Sequence, residues 1–431
     1  MKNISCCIAS ILGISLCSSA FAYEKRETAD VKNERQIGGY EAKGIRIGSF
    51  DFHPLMNFGS EYDSNIFKRN SANEVASYVA HFNPGFMLNS DWSRHALNAA
   101  VKTDLTVFSS QPENNNYQDV FVSLDGRLDV LKDSFFEAAY SFNSMHEDRG
   151  SADQRGGITP TFYNINTLDF AYKHKFNRMS LKPEFVVSRY DYQDTARLGG
   201  GDIQNHTRNR WEYKPSMRLG YEIKPGYESF LKFTWLTVDY DEEVITGVST
   251  VSFDRNSDGY NVLAGMEFDL TSLITGDVSI GYISRDYADN QLQSISGVNG
   301  FVNLLWQPTP LTGVLFNFTR DIQESTQNGV SGMFVTSPSI AITHELRRNI
   351  ILSVGTSYSY NEYVGFNAAN PIVADRTNRV EHVVTADTGI KYLLNRYFAV
   401  EFTYKYDTRQ TNYTGVDYDV HQVMFNILGQ I

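Results

Sequence analysis

The sequence predicts an all-β protein: a closed antiparallel transmembrane β-barrel of about eighteen strands, with sixteen as the alternative count and both termini in the periplasm. Three observations predict it. Apolar and polar residues alternate with a period of two from Gly44 onward, short and long connections alternate between the segments, and residues 1–22 have the pattern of a secretory signal peptide. A soluble chain of 431 residues would instead be expected to split into several helix-containing domains.

The N-terminal region predicts export. Lys2 precedes an apolar stretch from Cys6 to Leu16, and Ala20-Phe21-Ala22 forms a small-x-small cleavage site. All three cysteines of the chain precede that site, so the exported protein is expected to contain no disulfide and no cysteine metal site. The charged segment 23–43 is predicted to be a polar periplasmic tail, and residues 44–431 the barrel.

Composition narrows the class further. The chain has 28 Phe, 26 Tyr and 4 Trp, residue types that suit pleated surfaces and membrane interfaces. Its formal net charge of −12 makes nucleic acid an unsuitable partner, because nucleic-acid-binding proteins carry basic surfaces. No apolar run after residue 22 reaches the roughly 18 residues of a membrane helix.

The alternation is clearest in residues 120–130. Val120, Val122, Leu124, Leu128 and Val130 occupy one face of the predicted strand, whereas Ser123, Asp125, Arg127 and Asp129 occupy the other. A shift of one residue in register would move every charge to the apolar side. The same pattern recurs in segments 168–176, 210–219, 261–270 and 398–405.

Connection lengths separate the two architectures that such strands can form. A soluble sandwich gives no reason for short and long connections to alternate, whereas an outer-membrane barrel has tight periplasmic turns and longer external loops. Short turns recur at intervals of about 36–48 residues, two strands each, and longer polar loops such as 60–74, 147–160, 193–206, 241–257 and 361–378 lie between them.

Several strings in the chain resemble a known family. Arg46-Ile47-Gly48-Ser49-Phe50, Tyr62-Asp63-Ser64-Asn65-Ile66-Phe67, Asn83-Pro84-Gly85, Ser90-Asp91-Trp92-Ser93-Arg94-His95 and Gly126-Arg127-Leu128-Asp129 are similar to the putative beta-barrel porin 2 family of Gram-negative bacteria. Glu147-Asp148-Arg149-Gly150-Ser151 and Arg189-Tyr190-Asp191-Tyr192 extend the resemblance over essentially the whole exported chain.

The resemblance implies an outer-membrane barrel associated with exopolysaccharide assembly and export. The partners it implies are membrane lipid, a polysaccharide cargo and periplasmic export components. The chain departs from outer-membrane barrels in ending on Ile431 instead of an aromatic residue, although Ile431 keeps the parity of Val423, Phe425 and Ile427. The alternatives are a general or sugar-selective diffusion porin and, less favoured, a surface adhesin or structural barrel.

The inner face of the barrel is where a transport function predicts polar side chains. We expect a mixed-charge set to point inward, either as a hydrated lining that passes cargo or as a cross-strand ladder that holds the barrel's shape. The set is Lys102, Asp104, Asp125, Arg127, Asp129, Asp169, Lys173, Lys175, Arg210, Glu212, Lys214, Arg218, Glu381, Asp387, Lys391 and Lys405. Trp92, Trp306, Tyr392 and Tyr397 are assigned to the interfacial girdles.

No enzymatic motif is found in the chain. It has no G-x-S-x-G elbow, no H-E-x-x-H and no Walker loop, so neither catalysis nor a cofactor is predicted. One metal hypothesis comes from Asp254, Asn256 and Asp258 before Gly259, which match the first half of a calcium loop. Because the twelfth position is Gly265 and not Glu, a polar turn is the preferred interpretation.

Overall fold

A computed structural model describes residues 39–154, 156–197, 199–245, 252–271, 273–325, 327, 330–365, 379–413 and 415–431. The predicted signal peptide and most of the predicted tail lie outside these residues. Eighteen long strands dominate the described chain: β1 Phe50–Asp63, β2 Ser77–Ser90, β3 Ala96–Phe108, β4 Tyr117–Leu131, β5 Ser134–His146, β6 Phe162–Phe176, β7 Met179–Tyr192, β8 Arg210–Lys224, β9 Tyr227–Tyr240, β10 Ser257–Thr271, β11 Ile274–Tyr287, β12 Ile295–Thr309, β13 Thr312–Glu324, β14 Val330–Arg347, β15 Ile350–Gly365, β16 Val380–Leu393, β17 Phe398–Thr411 and β18 Tyr418–Gln430.

The strands form one closed antiparallel sheet. Each pairs with its neighbours in chain order, and β18 returns to pair with β1 from Leu55↔Gln430 to Asp63↔Gln422. At this seam the Asn57 side-chain amide donates to the side-chain oxygens of Asn83 (2.9 Å) and Asn426 (3.1 Å). Closure pairs the backbone groups of both end strands, which a lipid environment requires. The prediction of an eighteen-stranded closed barrel is confirmed.

Period-two alternation places large apolar side chains on the outside. Leu124, Leu128 and Val130 are 45, 53 and 44% exposed, and the girdle residues Trp92, Trp306, Tyr392 and Tyr397 are also exposed. Exposure of so many apolar groups would be unfavourable in water but matches a hydrocarbon environment. At the C-terminus Val423, Phe425, Ile427 and Ile431 share this outer parity.

Two unlike rims result from the connections. Tight turns at 91–95, 132–133, 177–178, 225–226, 310–311, 348–349 and 394–397, together with the short connection from Thr271 to Ile274, mark one rim, here called the turn rim. The longer connections between the other strand ends form the opposite loop rim, which carries two short helices, Pro112–Asn115 and Asn205–Arg208. A three-residue strand, Ile45–Ile47, pairs with the start of β1 at the turn rim.

The buried apolar clusters lie toward the loop rim. One joins Val238, Tyr240 and Val244, and another joins Tyr163, Ile165 and Tyr190. Two small hairpins, Thr195–Ala196 with Asp202–Ile203 and Val244–Ile245 with Ser252–Phe253, add to this end. Among the described residues no helix is long and apolar enough to cross a membrane.

Candidate functional site

The sixteen charged residues predicted for the inner face all lie on the strand face opposite the exposed apolar residues, and we call this face the polar row. The strand register shows that polar and apolar residues lie on opposite faces of the sheet. Asp125 pairs with Asn98 and Ala139, and Leu124 pairs with Ala99 and Tyr140 on the other face. Most polar-row side chains are buried or half-buried, since neighbouring strands supply partners for them.

A ladder of compensating charges crosses β5, β7 and β9. Lys182 lies 3.7 Å from a Glu137 carboxylate oxygen and 3.9 Å from one of Glu184. Glu184 also accepts a 3.0 Å hydrogen bond from Lys232, so each charge has an opposite charge on its own strand or two strands away. Burial of such groups without partners would cost several kcal/mol, which explains why the charges alternate in sign.

The strand β8 carries the densest part of the polar row. Glu212 accepts hydrogen bonds from Arg210 (2.9 Å) and Lys214 (2.8 Å). Arg218 lies nearer the turn rim and bridges Glu228 (3.0 Å) and Glu267 (2.8 Å) on the next two strands. Charges on this wall are therefore neutralised locally.

The remaining predicted residues fall into separate sectors of the wall. Asp104 accepts hydrogen bonds from Asn83 (2.8 Å) and Thr106 (2.7 Å), Asp125 accepts one from Asn98 (2.8 Å), and Arg127 donates to Asp129 (2.9 Å). Two other members form side-chain hydrogen bonds: Lys175 with Glu222, and Glu381 with Arg379 and Asn361. The rest are placed by their register partners on the neighbouring strand: Lys102 opposite Phe121, Asp169 opposite Ala139, Lys173 opposite Phe135, Asp387 opposite Lys405 and Lys391 opposite Glu401.

The three calcium candidates have separate protein partners. Asp254 accepts the Asn256 backbone N–H (2.9 Å), Asn256 accepts that of Tyr240 (2.6 Å), and Asp258 accepts the Thr237 hydroxyl (2.7 Å). Asp258 already belongs to β10. Among the described residues no group of three His, Cys, Asp or Glu side chains could hold a metal ion.

The sequence predicted a long polar loop at 147–160 but not its path. We call this connection between β5 and β6, residues 147–161, the strap. Its ends are held together by a backbone hydrogen bond from Glu147 to Thr161 (2.8 Å). Its tip reaches the β13–β14 connection and strands β14 and β15, which lie about half a circumference away in the closed sheet. The strap therefore crosses the barrel at the loop rim.

Ion pairs fix the near half of the strap. Arg208 donates to Glu147 (2.8 Å) and lies 3.8 Å from Asp153, and the side chains of Arg208 and Glu147 are each only 3% exposed. Lys68 binds both Asp148 of the strap (2.8 Å) and Asp407 of β17 (3.2 Å). We call the Lys68–Asp148–Asp407 group the latch.

Close packing at Gly150 explains why glycine occupies that position next to the latch. A Cβ there would lie 2.6 Å from Lys68 Cδ and 2.9 Å from the Tyr418 hydroxyl. Arg409 donates to the Gly150 carbonyl (3.1 Å), which adds a contact to the wall at β17.

The tip of the strap is seated in a socket on the far wall. Ala152 packs with Val330, Met333, Val335 and Tyr363. Next to it, the Ser325 hydroxyl donates to Asp153 (2.9 Å) and the Gln327 amide donates to the Ala152 carbonyl (2.9 Å). The socket is itself held by the fully buried Arg255, which donates to the carbonyls of Ser325, Val330 and Ser331.

Electrostatics keep the latch ionised. Burial alone would raise the pKa of Asp148, but Lys68 and the Gly150 N–H hold that pKa well below its usual value. Burial would lower the pKa of Lys68, but Asp148, Tyr418 and Asp407 raise it well above its usual value. Lys68 and Asp148 are consequently both ionised near neutral pH.

Comparison with known proteins identifies the family. The family model described as "Putative beta-barrel porin 2" matches residues 38–431. The chain belongs to the putative beta-barrel porin 2 family. As a porin 2 family barrel it resides in the outer membrane of a Gram-negative bacterium and has a porin- or transporter-like architecture.

No curated protein matches this porin 2 family member. Solved structures that resemble it include OpdO of Pseudomonas aeruginosa, with 12% identity over 88% of this chain and 97% of that one at a TM-score of 0.41. The siderophore receptor PiuA of Acinetobacter baumannii has 10% identity over 90% of this chain and 82% of that one at a TM-score of 0.47. These similarities are too loose for any residue or cargo to be carried over.

Proposed function

We propose that the barrel is an outer-membrane conduit for a hydrophilic polymer, a secreted polysaccharide of the exopolysaccharide or capsule type, and that it performs no catalysis of its own. The polar row would line the route, with its sixteen charged residues facing the lumen. Periplasmic polysaccharide-export components would deliver the cargo at the turn rim.

The local neutralisation of charge in the polar row carries the proposal. Because the carboxylates of Glu137 and Glu184 lie beside the ammonium groups of Lys182 and Lys232, this part of the wall offers hydrogen-bonding groups and little net charge. A polymer can form weak, repeated contacts with such a wall and still leave it, whereas unpaired charge would retain a charged chain. The resemblance to a family associated with exopolysaccharide export supports the same cargo.

The strap adds a requirement to this proposal. While Ala152 is seated in its socket on the far wall, the strap crosses the route that a polymer would take through the loop rim. We therefore propose that the strap is a gate that swings away during export, with its base at Glu147 and Thr161 as the fixed end.

The first test measures secreted and retained polysaccharide in a clean deletion strain. Complementation uses wild type, a lumen variant with bulky residues at Asp125, Arg127 and Asp129, and a locked strap variant, Asp153→Cys/Ser325→Cys. The native cysteines lie at positions 6, 7 and 17, so the new pair is the only one in an exported chain without its predicted signal peptide. Antibody detection of heat-modifiable barrel in the membrane controls for folding.

We expect deletion to remove polymer from the medium and retain it in the cell. The locked strap should block export under oxidising conditions and recover with reductant, and each single cysteine variant should export normally. Unchanged secretion on deletion would exclude the export function. Normal export by the oxidised lock would exclude the strap as the gate while leaving the conduit itself in place.

A diffusion porin is the second candidate, favoured by the strap because a crossing segment narrows the route to the size of small solutes. Conductance of the purified barrel in planar bilayers and swelling of proteoliposomes in monosaccharides and disaccharides distinguish the two. Steady conductance and sugar uptake with the strap locked, together with unchanged polymer secretion, would favour the porin.

A further inference from the structure

The turn rim is basic in a protein that is acidic overall. The eight turns and the strand residues that border them contain seven Lys or Arg against two Asp. The basic residues are Arg94, Lys132, Arg178, Lys224, Arg347, Arg348 and Arg396. The connections of the loop rim have the opposite balance, nine Lys or Arg against fourteen Asp or Glu.

The cations at the two rims are also used differently. Those described above at the loop rim, such as Arg208 and Arg255, are buried and bonded to protein. At the turn rim, Arg94, Lys132 and Arg178 are exposed and have no ion pair among the described residues. The same is true of Arg347 and Arg348 in the part of the chain that the structure covers. Charges that stabilise no protein group are available to a ligand.

One of the two acidic groups at this rim has an ion-pair partner within the protein. Arg46, from the short strand Ile45–Ile47, binds Asp91 at 2.9 Å and Asp51 at 3.0 Å. With Arg46 and Asp51 counted, the rim has eight basic residues against three acidic ones, an excess of five positive charges.

Each cation is adjacent to apolar surface. Trp92 near Arg94 is 41% exposed, Leu131 beside Lys132 is 62% exposed and Leu346 beside Arg347 is 57% exposed. Side chains of Lys and Arg at such a border can lay their methylene groups on hydrocarbon and place the charge at headgroup level. Trp and Tyr prefer the same depth.

From this arrangement we propose that the turn rim is a collar that binds the headgroups of anionic glycerophospholipids. The seven cations occupy six of the eight turns, so they are distributed over most of the circumference and are absent only from the sector of β10 to β13. An acidic protein would contact one sector of the rim, whereas a ring of lipid contacts the whole circumference. The proposal is independent of which cargo the barrel passes.

The test compares lipid retention by matched variants of the full barrel in nanodiscs. Arg347→Gln/Arg348→Gln removes two charges at the turn rim, and Arg69→Gln/Arg197→Gln removes two exposed charges at the loop rim. Arg347→Lys/Arg348→Lys keeps the charge at the first site. Native mass spectrometry counts retained phosphatidylglycerol and phosphatidylcholine, with lipid A in a separate series.

We expect wild type to retain phosphatidylglycerol over phosphatidylcholine, and retention to fall as salt is raised. Each turn-rim charge removed should weaken retention by up to about fivefold, with the Lys variant close to wild type and the loop-rim control unchanged. Equal retention of the two phospholipids by wild type would overturn the proposal. So would an equal effect of both double Gln variants, or turn-rim retention of lipid A alone. Capture of an acidic periplasmic protein by the turn rim, with no preference among lipids, would also overturn it.

Discussion

The buried pair Arg208–Glu147 shows how single residues hold the strap. Both side chains are 3% exposed, and Arg208 also stacks on Tyr192 at 4.1 Å. A buried pair of this kind adds little net stability, but loss of one partner leaves an uncompensated charge. The role of the Arg208–Glu147 pair is therefore to hold the base of the strap in one position.

We therefore expect Arg208→Met to lower the free energy of unfolding by about 3 kcal/mol, and Arg208→Met/Glu147→Gln to lower it by less than the sum of the single changes. Urea unfolding in lipid vesicles measures the cycle. The more exposed pair Arg189–Asp241, with side chains 18 and 39% exposed, serves as the control, where Asp241→Asn should cost below about 1 kcal/mol. Additive costs at Arg208 and Glu147 would contradict the interpretation.

At the scale of the element, the strap is held by an ionised latch and by an apolar socket. The depressed pKa of Asp148 means that its contribution to closure is present above the ordinary Asp value of about 3.9 and is lost as pH falls through the folded value. The raised pKa of Lys68 means that its contribution is present below about 10.4 and is lost only as pH rises through the folded value.

The latch should consequently keep its strength from about pH 4 to about pH 10. We expect the open probability of the reconstituted barrel to be flat across neutral pH, and Lys68→Met to raise it at every pH tested by leaving two carboxylates adjacent. Single-channel recording measures both. A steep transition near pH 6–7 would contradict this interpretation, because neither Asp148 nor Lys68 changes its charge in that range.

At the scale of the whole molecule, the difference between the two rims predicts how the barrel is oriented in the membrane. The family and its location imply an outer-membrane barrel, and the short turns are the connections expected on the periplasmic side. Both described chain ends lie at the turn rim, since β1 begins there and β18 ends there.

Labelling of single cysteines in intact cells tests this direction. Asn70→Cys and Tyr413→Cys in loop-rim connections should react with an impermeant maleimide, whereas Ser93→Cys and Asn395→Cys in turns should react only after the outer membrane is permeabilised. All four parent residues are outside the strands. Reversed labelling would place the termini outside the cell and refute the periplasmic assignment.

The sequence predicted the barrel well because its signals are local. The alternation in residues 120–130 depends only on neighbours two positions apart. The connection lengths are then the numbers of residues between successive alternating segments. The strap was not predictable, because Lys68 and Asp148 are 80 residues apart and Ala152 meets Tyr363 only through the path of the loop. The separate partners of Asp254, Asn256 and Asp258 were not predictable either, because β10 begins at Ser257 and Asp258 accepts the hydroxyl of Thr237 on the neighbouring strand.

The seam between β1 and β18 has a consequence for how the polypeptide could be rewired. The two described ends of the chain lie at the same rim. The side chains of Asn57 and Asn426 form a hydrogen bond although 369 positions separate them. Strand order around the cylinder is therefore cyclic, with no strand that is topologically first. A circular permutant that joins Gly39 to Ile431 by a flexible linker and opens the chain at the turn 225–226 should retain every lateral strand pairing. It would make the former seam an ordinary hairpin and transfer the last closure step to β8 and β9.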